Sequence, residues 1–231
     1  MQEAVQRSEA AAAPDDKMLS RKQGGVGIIT FNNPARHNAV SLEMWDTTAT
    51  MLEAFAADDG VRVVVLTGAG GKAFVSGADI SKFESERATV EAQARYNAVV
   101  ERLYAGIHDF PKPIIAMIRG YCIGGGLGLA VSCDIRICTE ESRFALPAAK
   151  LGLGYGYPGI KRFVDLVGPA FAKEIFFTAK QFGAREAYDM GLVNRVVPDA
   201  QLEAVVMDYA DTIANNAPLT VKSSKFAILQ A

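Results

Sequence analysis

Residues 112–150 contain the feature that most constrains how this chain can fold, a triple glycine between two apolar segments. Residues 113–118 are typical of a strand, and the second apolar run ends at Asp134. The pattern predicts a strand, a glycine turn and a buried helix. Because Gly124, Gly125 and Gly126 have no Cβ, their N–H groups can face a ligand, and a helix N-terminus adds partial positive charge. We therefore expect this turn to bind a negatively charged oxygen.

The composition of the chain excludes several classes of protein. Half of its 231 residues are apolar, which is enough for one sizeable core. Its 24 basic and 26 acidic residues nearly cancel, which argues against a general role on nucleic acids or membrane surfaces. No apolar run approaches the roughly 20 residues that cross a bilayer. Residues 1–23 lack the apolar stretch of a signal peptide, so we expect a loose polar arm and a cytoplasmic protein.

The cysteines favour neither a disulfide framework nor a zinc site. Cys122, Cys133 and Cys138 are odd in number and form no C-x-x-C motif. We expect them to be reduced and packed, and the sequence predicts no metal.

The order of the apolar segments predicts an α/β protein. Strands are expected at residues 24–31 and 61–66, joined by a helix that Ser41 caps, which implies parallel pairing through a crossover. A second long helix at residues 86–109 leads to the strand at 113. Further helices are expected at 169–178, 184–190, 199–215 and from 218 to the end.

A second glycine-rich segment, residues 67–80, follows the strand at 61–66 and admits a rival interpretation. Gly68, Gly70 and Ala73 fit the loose dinucleotide pattern G-x-G-x-x-A. That pattern must open a helix, whereas residues 72–76 look extended, so we disfavour a nucleotide site. A phosphate loop is also disfavoured, because Ala73 stands where Ser or Thr would bind magnesium.

Several motifs in a fixed order resemble the crotonase superfamily, the enoyl-CoA hydratases and isomerases. They are NNPARHNAVS, KAFVSGADI, KPIIAMIRGYCIGGGLGLAVSCDIRI, RFALPAAKLGLGYGYPGIKR and GLVNRVVP. The resemblance implies a crotonase-like (ββα) spiral core over residues 24–178, with a C-terminal helical region over 179–231 for oligomerisation and cover of the site. It also implies an acyl-CoA substrate, with coenzyme A as part of the substrate and no separate cofactor, and a homotrimer or dimer of trimers.

The resemblance also implies which residues form the site. In crotonases two backbone N–H groups hold the thioester oxygen while an enolate forms, and the corresponding residues are Ala78 and Gly125. Neighbouring residues implied to contact the substrate or coenzyme A are Arg36, His37, Asp79, Ile80 and Gly124. For Asp79 the residues also favour a simpler role as a helix cap.

The chain departs from the family where hydratases carry their acid and base. Both expected glutamates are replaced, by Gly128 and Ala148, and a position that is aspartate in some isomerases is Gly156. Neither glycine nor alanine can move a proton, so weak hydration is expected. Tyr155 and Tyr157 in the same loop are candidate proton donors, although pocket shaping is the favoured role for both.

Two functions therefore stay open on the sequence. One is an acyl-CoA enzyme, such as an isomerase, decarboxylase or thioester hydrolase, that keeps the oxyanion hole. The other is a non-catalytic acyl-CoA-binding or assembly protein with the same fold.

Overall fold

A six-stranded sheet runs through the protein. The computed structural model describes residues 16–82 and 89–231. In spatial order the sheet contains β1 (Met18–Gln23), β2 (Val26–Phe31), β3 (Val63–Gly68), β5 (Ile114–Ile118), β7 (Ile135–Thr139) and β10 (Arg195–Val197). Only β1 is antiparallel to its neighbour in this sheet.

A smaller four-stranded sheet lies beyond the first. It contains β4 (Ala73–Val75), β6 (Tyr121–Ile123), β8 (Arg143–Ala145) and β9 (Gln181–Gly183) in that order. Each of β3, β5 and β7 in the large sheet is followed along the chain by a strand of the small sheet. A helix follows each of these strand pairs, so the ββα unit repeats and the expected spiral core is confirmed.

The helices cover both faces of the large sheet. They are α1 (Leu42–Ala57), α2 (Val90–His108), α3 (Gly125–Ser132), α4 (Tyr157–Thr178), α5 (Ala184–Asp189), α6 (Leu202–Asn215) and α7 (Pro218–Gln230). One core packs α1 and α2 against residues such as Ile29, Leu66 and Ile114. The other core packs α6 against the residues that lie next to these along the strands, including Ile28 and Ile115. Alternate residues of a strand thus enter opposite cores, which explains why these strands are apolar throughout.

Local signals in the sequence set the first helix and the first crossover. Ser41 accepts a hydrogen bond from the amide of Met44 at 3.3 Å and caps α1, as predicted. Strands β2 and β3 pair in parallel across that helix, also as predicted. Residues 73–75 form strand β4 rather than a helix, which removes the structural condition for a dinucleotide fingerprint.

The prediction of a loose arm over residues 1–23 is wrong for its last part. Residues 18–23 form β1, which pairs antiparallel with β2 over its full length. The four consecutive polar residues 20–23 hid this edge strand, because only one of its residues, Met18, is buried. Residues 1–15 lie outside the described part of the chain.

The helix expected at residues 169–178 belongs to a longer one. Helix α4 begins at Tyr157, and Gly168 interrupts it with a φ of 74°. Pro169 then begins the second segment, which agrees with the predicted start. Among residues 16–82 and 89–231, no helix is long and apolar enough to cross a membrane.

Candidate active site

The two glycine turns of the sequence lie against each other. A Cβ placed on Gly77 would stand 3.8 Å from the amide nitrogen of Gly125, and one on Gly124 would stand 3.9 Å from Cα of Gly77. Gly77 and Gly124 have φ values of 105° and 55°, which disfavour any residue with a side chain. The turn after β4 and the turn after β6 are therefore brought together at one point.

In the first turn, the backbone amide of Ala78 points away from Val40, the residue with which Ala78 forms a bridge. Val40 donates to the carbonyl of Gly77 and accepts from the amide of Asp79, both at 2.9 Å, forming a parallel bridge with Ala78. In such a bridge the middle residue's own N–H points to the opposite side. The amide of Ala78 is thus free of Val40.

The second turn begins helix α3. Gly124 precedes the helix and Gly125 is its first residue, so the N–H of Gly125 has no acceptor within the helix. The helix is buried along almost its whole length and supplies partial positive charge at this end. A ligand oxygen beside Gly125 would meet both the donor and the helix dipole.

Asn38 fixes the loop that leads to the first turn. This residue is fully buried, and its side-chain amide donates to the carbonyls of Ala69 and Ala73 at 2.9 and 2.7 Å. Its side-chain oxygen accepts from the amide of Asn33 at 2.9 Å. The sequence pointed to the NNPARHNAVS motif but gave no signal for this role, because Asn38 is one of several polar residues in the loop.

Asp79 ties the first turn to Arg36. Its carboxylate accepts from the backbone amide of Ser81 at 3.0 Å, as a helix cap does, and pairs with the Arg36 guanidinium at 2.9 Å. Burial alone would raise the pKa of Asp79, but the hydrogen bonds from Ser81 and the charge of Arg36 outweigh it, so the pKa lies below its ordinary value. The positive charge of Arg36 is therefore largely balanced by the carboxylate of Asp79.

The other residues implied to contact coenzyme A lie nearby. His37 is exposed and adopts a left-handed backbone with φ of 51°. Its ring centroid lies 5.8 Å from that of Tyr121, with the two rings tilted by 44°. Ile80 begins the short 3-10 helix Ile80–Lys82. Both residues therefore flank the first turn, and contact with coenzyme A stays a prediction.

The three positions at which the family resemblance leads us to expect carboxylates hold glycine or alanine instead. Ala148 is buried in the 3-10 helix Pro147–Leu151, and Gly156 directly precedes α4. Gly128 lies in α3, one turn after Gly124. A Cβ on Gly128 would stand 3.0 to 3.1 Å from the ring and hydroxyl atoms of Tyr104.

Tyr104 is the residue of this site that sequence reasoning missed. It extends from α2, is buried, and donates from its hydroxyl to the carbonyl of Gly125 at 2.7 Å. Burial first, and then the neighbouring Tyr155, Tyr96 and Glu101, raise its pKa well above the ordinary value. Tyr104 therefore stays protonated near neutral pH and keeps the hydrogen that it donates to Gly125.

The two tyrosines predicted from the loop differ in their surroundings. Tyr155 is half-buried and meets the ring of Phe176 edge-on at 5.5 Å. Tyr157 is 76% exposed, at the first position of α4. Tyr155 is thus packed against the protein, whereas Tyr157 faces solvent for most of its surface.

The three cysteines are free and buried, as expected from their number and spacing. Burial raises the pKa of Cys133 and of Cys138 to about 12 and that of Cys122 well above its usual range. Thiols with such pKa values are poor nucleophiles near neutral pH, so these residues serve packing.

Comparison with known proteins agrees with the fold. The chain matches the enoyl-CoA hydratase/isomerase family model over residues 21–230. It therefore belongs to the enoyl-CoA hydratase/isomerase family of the crotonase superfamily.

Individual relatives are similar over most of their length. A short-chain-enoyl-CoA hydratase of Clostridium acetobutylicum is 37% identical, with 92% of this chain and 81% of the relative covered. A crotonyl-CoA hydratase of Syntrophomonas wolfei is 33% identical, with coverage of 92% and 81%. The crystal structure of an enoyl-CoA hydratase/carnithine racemase from Magnetospirillum magneticum superposes with a TM-score of 0.90 at 38% identity, with coverage of 93% and 80%.

Proposed function

We propose that this protein is an enzyme acting on an acyl-CoA thioester, with the backbone amides of Ala78 and Gly125 as an oxyanion hole. The contact between the two glycine turns carries the proposal, because it brings a free strand amide and a helix N-terminus to one place. Two such donors on the thioester oxygen would stabilise the negative charge of an enolate. Loss of one comparable donor costs on the order of 10²- to 10³-fold in rate.

The proposed reaction differs from dual-glutamate hydration. Hydration requires one group to take a proton from water and another to deliver a proton to carbon. Gly128 and Ala148 supply neither, and the ring of Tyr104 already occupies the space beside Gly128. The proposal is therefore an isomerase, decarboxylase or thioester hydrolase, although the relatives named above are called hydratases.

The remaining polar groups have distinct roles in this proposal. Tyr104 is a positioning residue, because its hydroxyl holds the first turn of α3 through the carbonyl of Gly125. Tyr155 or an ordered water is the candidate proton donor, and Tyr157 is the weaker candidate because of its exposure. Coenzyme A enters as part of the substrate, beside Arg36 and His37, so the chemistry requires no separate cofactor.

Turnover of a panel of CoA thioesters tests this function. We expect at least one enoyl-, malonyl- or aryl-CoA to be converted much faster than in buffer, with crotonyl-CoA hydration weak. For a bound thioester, the carbonyl stretching band in difference infrared spectra should move to lower frequency, since the two amides polarise that bond. Bound thioesters with neither turnover nor a shifted band would overturn the proposal.

A non-catalytic acyl-CoA-binding or assembly protein is the second candidate. The absence of a carboxylate at residues 128 and 148 favours it. Calorimetry would then show acyl-CoA binding, and mass spectrometry would show the thioester intact after prolonged incubation.

The assembly and location of the protein are parts of the same proposal. We infer a homotrimer or a dimer of trimers in the cytoplasm. Helix α7 supports assembly, because it has no buried residue and leaves Leu219, Phe226 and Ile228 more than two-thirds exposed, at 81%, 67% and 73%. Light scattering coupled to size exclusion would give a monomer mass if this inference is wrong.

A further inference from the structure

Arg162 has a buried hydrogen-bond donor that nothing in the described structure uses. This residue lies in α4, and its side chain is only 11% exposed. Its Nη2 donates to the carboxylate of Glu101 at 2.9 Å. Its Nη1 is buried and has no hydrogen-bond partner among residues 16–82 and 89–231.

An unused guanidinium donor is unfavourable in a folded protein. A buried polar group without a partner carries its full desolvation cost, and the cost is larger for a charged group. Glu101 does not remove this cost, because it is 40% exposed and contacts the other nitrogen. An acceptor that arrives with a ligand would remove it.

The position of Arg162 connects this donor to the candidate active site. Glu101 and Tyr104 are three residues apart in α2, so they share a face of that helix. Tyr104 contacts the carbonyl of Gly125, whose own amide is a proposed oxyanion donor. Because Arg162 pairs with Glu101, the side chains of Arg162, Glu101 and Tyr104 form one cluster.

The balance of charge in this cluster favours an anionic ligand. Arg162 supplies one positive charge and Glu101 one negative charge, and Tyr104 is neutral near pH 7 because its pKa is raised. The exposed carboxylate of Glu101 is partly screened by solvent, whereas the Arg162 side chain is largely enclosed. A carboxylate is the natural acceptor for the remaining guanidinium N–H groups, because its two oxygens match their planar geometry.

We propose that Arg162 binds a carboxylate on the acyl group of the substrate, so that the substrate class is a CoA thioester of a dicarboxylic acid. This inference rests on the proposed function, since it places the acyl group between the two glycine turns and helix α4. It concerns binding and specificity, and it adds no covalent step.

Paired CoA thioesters of equal chain length test the proposal. The pairs are propionyl- and malonyl-CoA, butyryl- and succinyl-CoA, and hexanoyl- and adipyl-CoA, with dissociation constants measured by calorimetry. For at least one pair the wild-type protein should bind the dicarboxylic member about tenfold or more tightly, as expected for a charge-assisted hydrogen bond. In Arg162→Met the ratio of the two constants should fall to about one.

Matched variants separate this role from a structural one. Arg102→Met removes an 81% exposed arginine from α2 and should leave the ratio unchanged. If Arg162→Met fails to fold because Glu101 loses its partner, the double variant Arg162→Met/Glu101→Gln removes both charges and should show the same loss of preference. Arg162→Lys keeps the charge and should keep part of the preference.

The outcomes distinguish the inference from the function on which it rests. Equal affinity for both members of every pair, or equal weakening of both members in Arg162→Met, would overturn the role of Arg162 and leave the acyl-CoA site intact. Binding of no CoA thioester by the wild-type protein would overturn the proposed function itself.

Discussion

Gly128 packs tightly against a neighbour on another helix. Its missing Cβ would stand 3.0 Å from the ring of Tyr104, which is closer than real Cβ contacts tolerate without movement. Tyr104 is itself fixed by its bond to Gly125 and by edge-on contact with Trp45 at 5.9 Å. A side chain at position 128 therefore competes directly with the positioning residue of the candidate site.

Replacement of Gly128 should destabilise the protein despite the higher helix propensity of the new residue. We expect Gly128→Ala to lower the free energy of unfolding by about 1–3 kcal/mol, because it overpacks the core. Urea unfolding would measure the change. Gly106→Ala is the matched control, because no atom lies within 4 Å of its added Cβ, and it should stabilise by up to about 1 kcal/mol.

Relief of the same contact gives the decisive comparison for Gly128. Gly128→Ala should cost much less stability in a Tyr104→Leu background than in the wild type. The two changes affect the same space, so their effects on the free energy of unfolding are not additive. Strict additivity of the two changes in unfolding free energy would contradict the proposed contact.

Removal of the Tyr104 hydroxyl should affect catalysis more than folding. Tyr104→Phe keeps the ring but leaves the carbonyl of Gly125 without this donor. We expect a loss of stability of about 1 kcal/mol and a fall in kcat of about tenfold or more, with KM less affected. A smaller infrared shift of the bound thioester carbonyl would accompany it if Tyr104 positions the Gly125 turn.

A surface tyrosine supplies the control for this variant. Tyr188 is 43% exposed in α5, and Tyr188→Phe should change neither kcat nor the carbonyl band. Unchanged kcat in Tyr104→Phe would assign the hydroxyl to packing alone.

At the scale of elements, one cap holds the first turn. Asp79 caps the 3-10 helix Ile80–Lys82 through Ser81 and fastens it to Arg36 in the preceding loop. The native pKa of Asp79 lies below the ordinary value of 3.8, so its ionised form stabilises the folded state. This contribution is fully present above the unfolded-state pKa and is lost as the pH falls through the native one.

The stability difference between wild type and Asp79→Asn should therefore depend on pH. We expect the variant to be less stable by about 1 kcal/mol near pH 7, and the difference to shrink only below the ordinary carboxyl pKa. Urea midpoints between neutral and acidic pH would measure it. Asp165→Asn, which breaks an exposed pair with Lys161, should show almost no difference at any pH. A constant difference for Asp79→Asn across that range would show that its charge is not responsible.

At the scale of the whole molecule, Lys225 fastens the last helix to the sheet. Its ammonium, on a side chain that is 10% exposed, pairs with Asp134 at 2.8 Å and donates to the carbonyl of Lys112. Asp134 also accepts from the amide of Ile114 at 2.7 Å, so one carboxylate joins β5 to α7. Apart from this link, α7 has no buried residue in the described chain.

Loss of this link should loosen the last helix before it affects the core. We expect Lys225→Met to raise the rate of proteolysis within residues 218–231 by about fivefold, because local opening becomes easier by about 1 kcal/mol. Limited proteolysis followed by mass spectrometry would locate the cleavage. Lys222→Met, an exposed lysine of the same helix, should digest like the wild type, and equal digestion of both variants would remove the role of Lys225.

The sequence by itself determined the features that depend on local order. Apolar runs, the Ser41 cap and the Gly168–Pro169 break specified strands and helices, because these signals act within a few residues. Motifs in order identified the family, and the glycine turns indicated where backbone amides would be free. The role of those amides as an oxyanion hole remains a proposal.

Only the tertiary structure decided what fills the space around those turns. Strand β1 joined the sheet through pairing with β2, although its polar residues gave little hydrophobic signal. Tyr104 and Arg162 come from helices far from the glycine motifs in sequence, and packing alone brings them together. Local patterns carry no information about such distant contacts, because burial and hydrogen bonding at these positions arise only when separate elements pack.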